Sequence, residues 1–579
     1  MWKPALALAC GRRLTAGVSL TVIGAGVAIA ASATSGATAA AHEFRGRAIA
    51  GHEFQREGGR GPAVFAPTST PIKHLVVIFG ENVSFDHYFG TYPNAANPAG
   101  ESQFHAAPNT PAVNGLSGSL LTANLNLANP QRLDPSQAMT CDMNHGYSAE
   151  QKAANGGLMN MFVQNTSGGG CTDKSLVMDY YDGNTVTALW NYAQHFAMSD
   201  NSFGTNYGPS TPGAINVAAG NTYGAICGPS WAVYNAQPCT GTPGSESATP
   251  GQPVAMGAGT DYSDADPYYD VCSNKNAANT IQMGGQNIGD LLSKAGVTWG
   301  WFEGGFQNAG YIPGQPSTST IATAGCTSTH TNVGGGTVTD YIPHHEPFQY
   351  YRSTANPMHT PPSSISLIGT NNDGANHQYD IKDFWAAADS GNLPAVSYLK
   401  APAYQDGHAG YSDPLDEQQF VVNTINRLEQ LPTWSSTAVV INYDDSDGWY
   451  DHVYGPLVSA SQTSLDALTG TGACGGPSLV PTTNTGTAEQ ARCGVGPRLP
   501  MMVISPWART NYVDHTMTTQ TSIVRFIEDN WLNGARIGNG NADAWTATGS
   551  LNGMFNFRGE HEGGRRLFLN PVTGQPFFG

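Results

Sequence analysis

The chain is poor in positive charge. It has 25 Lys and Arg among 579 residues, and its formal net charge at pH 7 is −18. Nucleic-acid binding depends on clustered Lys and Arg that neutralise phosphates, so this scarcity argues against a nucleic-acid partner. Beyond the N-terminal segment, no apolar run reaches the ~18 residues that a membrane helix requires. We therefore expect no stable membrane insertion once that segment is removed.

Two further patterns are absent. The chain has no CxxC pair, which disfavours a zinc site built on thiolates. Its 70 Gly and 37 Pro lack the strict triplet of collagen, so they indicate many shaped loops. With 40% hydrophobic and 10% aromatic residues and no internal repeat, the composition is that of a globular protein.

The first 41 residues have the features of an export signal. Lys3 and Arg12-Arg13 precede the apolar stretch from Leu14 to Ala31, and Ala37-Thr38-Ala39 is a candidate cleavage pattern. Paired arginines at this place are typical of twin-arginine signals, with an ordinary secretory signal as the alternative. We expect an exported protein, either periplasmic or secreted.

The cysteines favour disulfides. Nine are present, and all but Cys10 follow the signal, which leaves an even number in an exported chain. Sequence neighbours are the simplest expected pairs, namely Cys227 with Cys239 and Cys474 with Cys493. These pairs lie in Gly-, Ser- and Thr-rich stretches at 221–285 and 458–497, which we interpret as disulfide-stapled insertions.

The remaining sequence predicts one α/β domain. Residues 42–70 form an extended lead-in, and the domain runs from 71 to 579. Short β-branched apolar runs predict buried strands at 73–79, 297–302, 395–399, 437–443 and 499–504. Amphipathic patterns predict helices at 287–295, 417–431 and 518–531. The alternation indicates a mainly parallel sheet flanked by helices.

Two predicted strands end in oxygen-bearing side chains. Glu81 and Asn82 follow the first strand, and Asp444 and Asp445 follow the fourth. Ligands bind beyond the carboxyl ends of strands in open α/β sheets, and oxygen donors suit a hard metal ion. The two aspartates can share a metal only if the chain turns at 446–448, where Ser-Asp-Gly favours a turn. The alternative is a polar loop, with Asn82 capping the next helix.

A serine in the segment GPSTPG, residues 208–213, is a candidate nucleophile. Pro212 suits the first turn of a helix, with Ser210 or Thr211 as its cap. The positive end of a helix favours an alkoxide or a phosphate, and a neighbouring metal would make Ser210 more acidic. The alternative is an inert helix cap.

Four histidines lie in polar loops that contain Gly or Pro. They are His145, His344, His345 and His408. Imidazoles in such loops can hold phosphate oxygens, and one can protonate a leaving oxygen. The alternative for each is a surface loop histidine.

Four separated segments resemble one family. The segments IKHLVVIFGENVSFDHYFGTYP, GPSTPG, NYDDSDGWYDHV and GVGPRLPMMVISPWARTNYVDHT resemble, in this order, signatures of the bacterial phosphoesterase family that contains phospholipases C and a group of acid phosphatases. The resemblance runs from about residue 71 to 535. It implies an alkaline-phosphatase-like α/β fold with one divalent or iron ion beside the nucleophile.

The resemblance also implies roles for residues at matching positions. Ser210 would attack phosphorus and form a phosphoserine, and His408 would protonate the leaving group. The phosphate-facing histidines would be His145, His344, His345 and His408, and the metal ligands would be Glu81, Asn82, Ser210, Asp444 and Asp445. Asp451 and His452 lie in a matching motif without a predicted role.

The implied function is an exported, metal-dependent phosphoric ester hydrolase. The Ser-Thr-Pro-Gly at the nucleophile resembles the acid-phosphatase branch more than phospholipases C, which tend to carry Thr-His-Pro-Asn, so a phosphomonoesterase is predicted first. A phospholipase C acting on phospholipid head groups is the alternative. Its choline could be held by an aromatic cage of Trp299, Trp301, Phe302 and Trp449.

Two other functions are less favoured. The Ser-x-Pro motif resembles that of sulfatases, but Ala214 stands where those enzymes carry Arg. A non-catalytic surface binding protein, stabilised by calcium and disulfides, would explain the glycine-rich loops. Such a protein would not need a serine beside the metal.

Overall fold

The computed structural model describes residues 67–222, 225–227, 263–273, 280–308, 324–459, 461, 466–468, 474, 493–538, 542–544, 547–558 and 564–577. The predicted export signal, and the lead-in up to residue 66, lie outside these ranges. In the described part of the chain, no helix is both long and apolar enough to cross a membrane.

The strands are mostly short. They span His74–Gly80 (β1), Arg132–Leu133 (β2), Tyr180–Tyr181 (β3), Ala197–Ser199 (β4), Ser202–Phe203 (β5), Ile226–Cys227 (β6), Asp266–Pro267 (β7), Thr280–Gln282 (β8), Trp299–Glu303 (β9), Thr329–Thr331 (β10), Thr337–Thr339 (β11), Gln378–Asp380 (β12), Val396–Lys400 (β13), Thr437–Tyr443 (β14), Met501–Ile504 (β15), Tyr512–Asp514 (β16) and Thr518–Thr519 (β17).

The helices lie between these strands. They span Phe85–Phe89 (α1), Ser119–Thr122 (α2), Tyr147–Ala154 (α3), Phe162–Asn165 (α4), Thr187–His195 (α5), Ser210–Ala219 (α6), Ile288–Ala295 (α7), Ile381–Asp389 (α8), Pro414–Leu428 (α9) and Thr521–Trp531 (α10).

One large sheet organises the molecule. Its strand order is β12-β9-β13-β1-β14-β15-β4-β16. All neighbouring pairs are parallel except those that β15 makes with β14 and β4. The sheet is therefore mainly parallel, as the alternation of strands and helices predicts. β1 lies at its centre, where Leu75 is in register with Val396 on one side and Ala438 on the other.

The central strands are buried on both faces. Every residue of β1 and β14 is buried, which is why these segments read as continuous apolar runs rather than alternating ones. Helices flank the sheet and take their bounds from local signals. In α7, Asn287 forms a capping box with Asp290, and Gly296 ends the helix with a left-handed backbone. In α9, Asp413 is the cap and Pro414 the first residue.

The predicted elements agree with the structure to within a few residues. The five predicted strands correspond to β1, β9, β13, β14 and β15, and the three predicted helices to α7, α9 and α10. The predicted helix at 518–531 starts too early, because Thr518 and Thr519 pair with Ser202 and Phe203 as β17.

Three disulfides are present in the described residues. They join Cys141 to Cys171, Cys272 to Cys326, and Cys474 to Cys493. The predicted pair of Cys474 with Cys493 is confirmed, whereas the pair of Cys227 with Cys239 reaches outside the described residues. Cys272 connects the first expected insertion to Cys326, a residue beyond that insertion, so this disulfide is not an internal staple.

Candidate active site

Glu81 and Asn82 leave β1 at its carboxyl end. Both are buried, and Asn82 has a positive φ of 55°, a conformation that Asn tolerates better than most residues. Asn82 N donates to Asp444 Oδ1 at 3.0 Å, which ties this corner to the end of β14. Asn82 is not a helix cap, because the cap of α1 is Ser84, whose hydroxyl accepts from His87 N.

Asp444 and Asp445 follow β14 in a turn. Asp447 and Gly448 have positive φ values of 52° and 73°, so the chain reverses where the Ser-Asp-Gly sequence predicts it. Asp445 N donates to Asp444 Oδ1 at 2.8 Å, and Asp447 N donates to Asp445 Oδ1 at 2.6 Å. Both aspartates are buried and both contact the residues that follow β1 or begin α6.

Ser210 is the first residue of α6. The cap is Pro209 rather than Ser210 or Thr211, so the prediction of a serine cap is wrong in this detail. The Ser210 hydroxyl instead faces oxygen atoms, with Oγ 3.2 Å from Glu81 Oε2, 3.3 Å from Asn82 Oδ1 and 3.1 Å from Asp445 Oδ2.

Gly213 makes this arrangement possible. A Cβ at this position would collide with the backbone of Asp444, so only glycine lets the first turn of α6 approach the aspartate loop so closely. The five predicted oxygen ligands therefore meet at one place, although they are distant in the chain.

Lys400 is a site residue that the sequence analysis did not find. It ends β13, is fully buried, and its Nζ pairs with Glu81 Oε1. Burial alone would lower the pKa of Lys400, but Glu81 and Asp444 raise it above the ordinary value. A lysine directly after a buried apolar run was the available signal, since buried lysines are rare unless they are paired.

Asp406 was also missed. It lies two residues before His408, and its side chain accepts from His408 N at 3.0 Å. Its backbone carbonyl accepts from Glu81 N at 3.0 Å, so it holds the loop of His408 against the end of β1. Burial raises the pKa of Asp406 to about 7, although Lys400 lowers it.

Carboxylates crowd this site. Burial and Asp444 raise the pKa of Glu81 well above its usual range, although Lys400 lowers it. Burial and Asp444 likewise raise the pKa of Asp445 well above its usual range. Burial alone would raise the pKa of Asp444, but Lys400 lowers it below the ordinary value. The carboxylates need more positive charge than Lys400 supplies.

His408 faces Asn82. Its Nδ1 lies 2.6 Å from the carbonyl oxygen of Ala409, and its Nε2 lies 3.0 Å from the side-chain amide of Asn82. Burial and His145 lower the pKa of His408 to about 4, so the ring is neutral at pH 7. The single N–H of the neutral ring is then at Nδ1 and donates to the carbonyl oxygen of Ala409, which leaves Nε2 as an acceptor.

His145 lies beside the aspartate turn. Its Nδ1 is 3.0 Å from Asp447 Oδ1, and its ring centre is 6.1 Å from that of His408. Burial alone would lower the pKa of His145, but Asp445 and Asp447 raise it well above the ordinary value. His145 is therefore the protonated member of this histidine pair.

The other two histidines approach from the connection between β11 and β12. His345 Nδ1 lies 3.5 Å from Glu81 Oε1 and 3.8 Å from Asp406 Oδ2. Burial and Lys400 lower the pKa of His345 well below its usual value. The His344 ring packs against His345 at 4.6 Å, and its Nδ1 lies 3.5 Å from Asp266 Oδ1. The structure thus brings three histidines to the oxygen cluster and places His344 behind His345.

The aromatic cage suggested for choline does not form. Trp299, Trp301 and Phe302 are fully buried in the sheet, and Trp449 is 1% exposed. Trp299 stacks on His377 at 4.3 Å, and Trp449 stacks on His87 at 3.7 Å. These side chains fill the core and cannot receive a head group.

Comparisons with known proteins identify a family. Residues 72–532 match the model of the Phosphoesterase family. The chain is 25% identical over 498 residues to a non-hemolytic phospholipase C of Burkholderia pseudomallei, covering 85% of this chain and 60% of that protein. A non-hemolytic phospholipase C of Pseudomonas aeruginosa is 31% identical over 169 residues, covering 29% of this chain and 24% of that protein.

A longer match has lower identity. Phospholipase C B of Mycobacterium tuberculosis is 22% identical over 535 residues, covering 88% of this chain and 82% of that protein. The chain thus spans less than two thirds of the Pseudomonas and Burkholderia proteins and most of the mycobacterial one.

Proposed function

Because the chain belongs to the Phosphoesterase family, we propose that it hydrolyses phosphoric esters with Ser210 as the nucleophile. The observation that carries the proposal is the position of Ser210 Oγ, which lies at the N-terminus of α6 within 3.3 Å of Glu81, Asn82 and Asp445 oxygens. The free N–H groups of a helix N-terminus stabilise an alkoxide and a phosphate alike. The expected export signal and the three disulfides support action outside the cytosol.

We propose that Glu81, Asn82, Ser210, Asp444 and Asp445 hold one divalent or iron cation. The amide of Asn82 supports this. With its nitrogen towards His408 Nε2 at 3.0 Å, the amide places its oxygen 2.6 to 3.1 Å from Glu81 Oε2 and the carboxylate oxygens of Asp444, whereas the reversed amide would donate to those carboxylates. A cation among the oxygens favours the first orientation. Acceptor oxygens this close repel each other unless a cation lies among them.

The residues of the chain then divide the work. The bound cation would lower the pKa of the Ser210 hydroxyl and offset phosphate charge. Ser210 Oγ attacks phosphorus, the bond to the leaving oxygen breaks, and a phosphoserine forms. Water then attacks the phosphoserine and releases the product. His345 lies beside Glu81, where a phosphate oxygen could reach it, and Lys400 pairs with Glu81 and offsets part of the negative charge of the site.

The leaving oxygen needs a proton, and the sequence prediction gives that role to His408. The contacts of the two histidines favour His145, because Asp445 and Asp447 raise the pKa of His145 well above its ordinary value, whereas burial lowers the pKa of His408 to about 4. We therefore propose His145 as the donor at neutral pH. His408 takes this role only in strongly acidic solution, below about pH 4.

The first substrate class we propose is phosphomonoesters, because the Ser-Thr-Pro-Gly sequence at the nucleophile resembles acid phosphatases. The second is phospholipid head-group diesters, because the Pseudomonas, Burkholderia and mycobacterial relatives described above are named phospholipase C. Parallel assays with p-nitrophenyl phosphate and p-nitrophenylphosphorylcholine separate the two. Diester turnover well above monoester turnover would reverse the preference.

The nucleophile is tested with Ser210→Ala. We expect hydrolysis of p-nitrophenyl phosphate to fall by at least a thousandfold, while urea unfolding stays close to that of the wild type. Ser505→Ala is the matched control. Ser505 is as buried as Ser210, but its hydroxyl donates to the carbonyl oxygen of Thr437, at the opposite end of β14 from Asp444. Similar rates in Ser210→Ala and the wild type would remove the nucleophile assignment.

The cation is tested by elemental analysis of the purified protein and by chelation. We expect about one metal ion per chain, loss of activity on its removal and recovery on its return. Asp445→Asn should bind the ion more weakly. A fully active protein free of metal would contradict the proposal.

The proton donor is tested by leaving-group dependence. A variant that lacks the donor loses most activity on esters with poor leaving groups, such as phenyl phosphate, and least on p-nitrophenyl phosphate. We expect this pattern for His145→Gln at pH 7. If His408→Gln shows the steeper dependence instead, His408 is the donor.

A further inference from the structure

Three strongly exposed leucines, here called the leucine patch, lie in two chain segments that the hydrogen bonds of Asn126 hold together. Leu125, Leu127 and Leu158 are 73%, 76% and 65% exposed. Asn126 lies between the first two and is fully buried, and its amide donates to Met159 O at 2.6 Å and accepts from the first N–H of α4 at 2.8 Å. Because Asn126 and Met159 point inward, the leucines next to them point outward from adjoining turns.

The leucine patch is surrounded by uncharged sequence. Residues 102–131 and 153–172 contain no Asp, Glu, Lys or Arg, although the whole chain has a net charge of −18. Because these two segments carry no charged side chain, burying their surface removes no ion from water. The patch is therefore suited to an electrically neutral, apolar partner.

Leu127 occupies a backbone conformation that disfavours leucine. Its φ is 67°, in the left-handed region where Gly and Asn are the usual residues. Its side chain projects into water and adds nothing to the core. The fold would be better served by Asn at this position, so a leucine there points to a use outside the fold.

We propose that the leucine patch docks the protein on an electrically neutral lipid surface, such as a phosphatidylcholine bilayer. Side chains that are two thirds exposed protrude between head groups and bury their apolar atoms there. A second protein chain fits less well, because stable protein interfaces bury about 800 Å² per partner and are rich in aromatic residues and Arg. The sequence around the leucines, residues 121–131 and 154–162, contains no Arg, and its one aromatic residue, Phe162, is buried.

The leucine patch is joined to the proposed active site. Leu158 follows α3, and α3 begins two residues after His145. Near Leu125, Asn124 Nδ2 donates to the hydroxyl of Tyr450 at 3.1 Å, and Tyr450 belongs to the segment that follows the aspartate turn. This inference deepens the phospholipid candidate of the proposed function and rests on it for what is hydrolysed. Docking itself can be measured without hydrolysis.

Cosedimentation with phosphatidylcholine vesicles tests the docking. All vesicle-binding measurements use the Ser210→Ala background, so that no lipid is consumed. We expect each of Leu125→Ser, Leu127→Asn and Leu158→Ser to weaken vesicle binding by about tenfold, and the triple variant by a hundredfold or more. Asn suits the left-handed backbone at 127, so the fold should persist.

Val572→Ser is the matched control, because Val572 is 71% exposed and lies far along the chain from the leucine patch. It should bind vesicles as well as its parent. When the triple variant carries the native Ser210 instead of alanine, it should hydrolyse soluble p-nitrophenyl phosphate at the wild-type rate. Anionic phosphatidylglycerol vesicles should bind more weakly than phosphatidylcholine at low salt, because the protein is acidic.

Three results would overturn the docking proposal. The first is that the parent protein does not bind phosphatidylcholine vesicles, and the second is that the parent and the triple variant bind them equally. The third is that sedimentation velocity shows a dimer of the parent but not of the triple variant, which would assign the leucine patch to a second copy of the chain. An active Ser210→Ala protein would refute the nucleophile but leave the vesicle result standing.

Discussion

A single buried glutamate connects the two loops that carry Ser210 and Asp445. Glu150 lies on α3, where Oε2 accepts from Gly208 N at 2.9 Å and Oε1 accepts from Ser446 Oγ at 2.7 Å. Gly208 has a φ of 116°, so the loop before Ser210 holds an unusual conformation with Glu150 as its partner. Burial raises the pKa of Glu150 to about 7, although these donors lower it.

We expect Glu150→Gln to reduce kcat for p-nitrophenyl phosphate by about ten- to a hundredfold, with little change in KM. The amide oxygen can keep the hydrogen bond from Gly208 N, but the amide nitrogen must then donate to Ser446 Oγ, which already accepts from Gly448 N, and the Ser446 hydroxyl hydrogen loses its acceptor. The Ser210 loop and the aspartate turn are then held together less tightly. Steady-state kinetics alongside urea unfolding measure both effects.

Glu429→Gln is the control for Glu150→Gln. Glu429 is also fully buried and accepts a backbone hydrogen bond, from Leu567 N at 2.8 Å, but it belongs to the end of α9 rather than the site. It should lower stability and leave kcat unchanged. Equal kinetic effects of the two variants would show that Glu150 acts only through general stability.

Single residues divide into those that the sequence could reveal and those that it could not. Ser210 and the aspartate pair stand in short motifs with oxygen side chains next to glycine or proline, so their chemistry is visible locally. Lys400 directly follows a predicted strand and could have been found. Glu150 lies in an ordinary helix, and only the fold brings it to Gly208, so no local pattern identifies it.

One buried arginine ties α1, the helix that follows β1, to the segment that follows β14. Arg498 Nε lies 3.1 Å from Asp451 Oδ2, and its Nη2 lies 2.9 Å from Asp86 Oδ1. Its remaining donors reach the carbonyls of Asn114 and Asp200. His452 Nδ1 lies 2.6 Å from Asp86, which gives Asp451 and His452 a positional role that the sequence did not predict.

We expect Arg498→Met to lower the free energy of unfolding by about 3–5 kcal/mol, because it leaves Asp86 and Asp451 buried without a partner. Adding Asp86→Asn and Asp451→Asn should restore part of that loss, since the buried charges are then removed. Urea unfolding of the three proteins measures the effect.

Arg427→Met is the comparison for Arg498→Met. Arg427 pairs with Asp389, and the two side chains are 43% and 56% exposed, so the loss should stay within about 1 kcal/mol. If Arg498→Met lowers the free energy of unfolding no more than Arg427→Met does, Arg498 does not hold α1 and the segment after β14 together.

The longer elements could be predicted because their patterns are long enough to show burial. β1 and β14 each have seven buried residues, and α9 carries an apolar face over four turns. β4, β12 and β16 have three residues each and were not predicted, because so short a segment shows no periodicity. The antiparallel direction of β15 was also hidden, since strand direction depends on the path of the connecting chain.

Across the whole molecule, burial of carboxyl groups links stability to pH. The net charge is −18, yet several carboxyl groups lie in the interior, where burial raises their pKa values. Folding then takes up protons as the pH falls, so these groups favour the folded state in mild acid. Buried neutral histidines oppose them. Burial lowers the pKa of His87 to about 3 from an ordinary value of 6.5. Below about pH 6.5 the unfolded chain therefore takes up a proton at His87 that the folded chain does not, which lowers the stability of the folded state.

Glu417 allows one part of this balance to be measured. It receives hydrogen bonds from Tyr88 and Tyr443, yet burial raises its pKa to about 7 from an ordinary value of 4.5. The folded pKa is the higher one, so the stabilising contribution is complete below pH 4.5 and is lost as the pH rises through 7. Glu417→Gln stays neutral and keeps both tyrosines paired, because a tyrosine hydroxyl can donate or accept.

We therefore expect the stability of Glu417→Gln, relative to the wild type, to rise by about 3 kcal/mol between pH 5 and pH 8. Urea unfolding at fixed metal content and ionic strength, with the m-value checked at each pH, measures this change. Parallel pH curves for the two proteins would mean that Glu417 ionises as readily in the folded chain as in the unfolded one, and that burial of this carboxyl does not favour folding in acid.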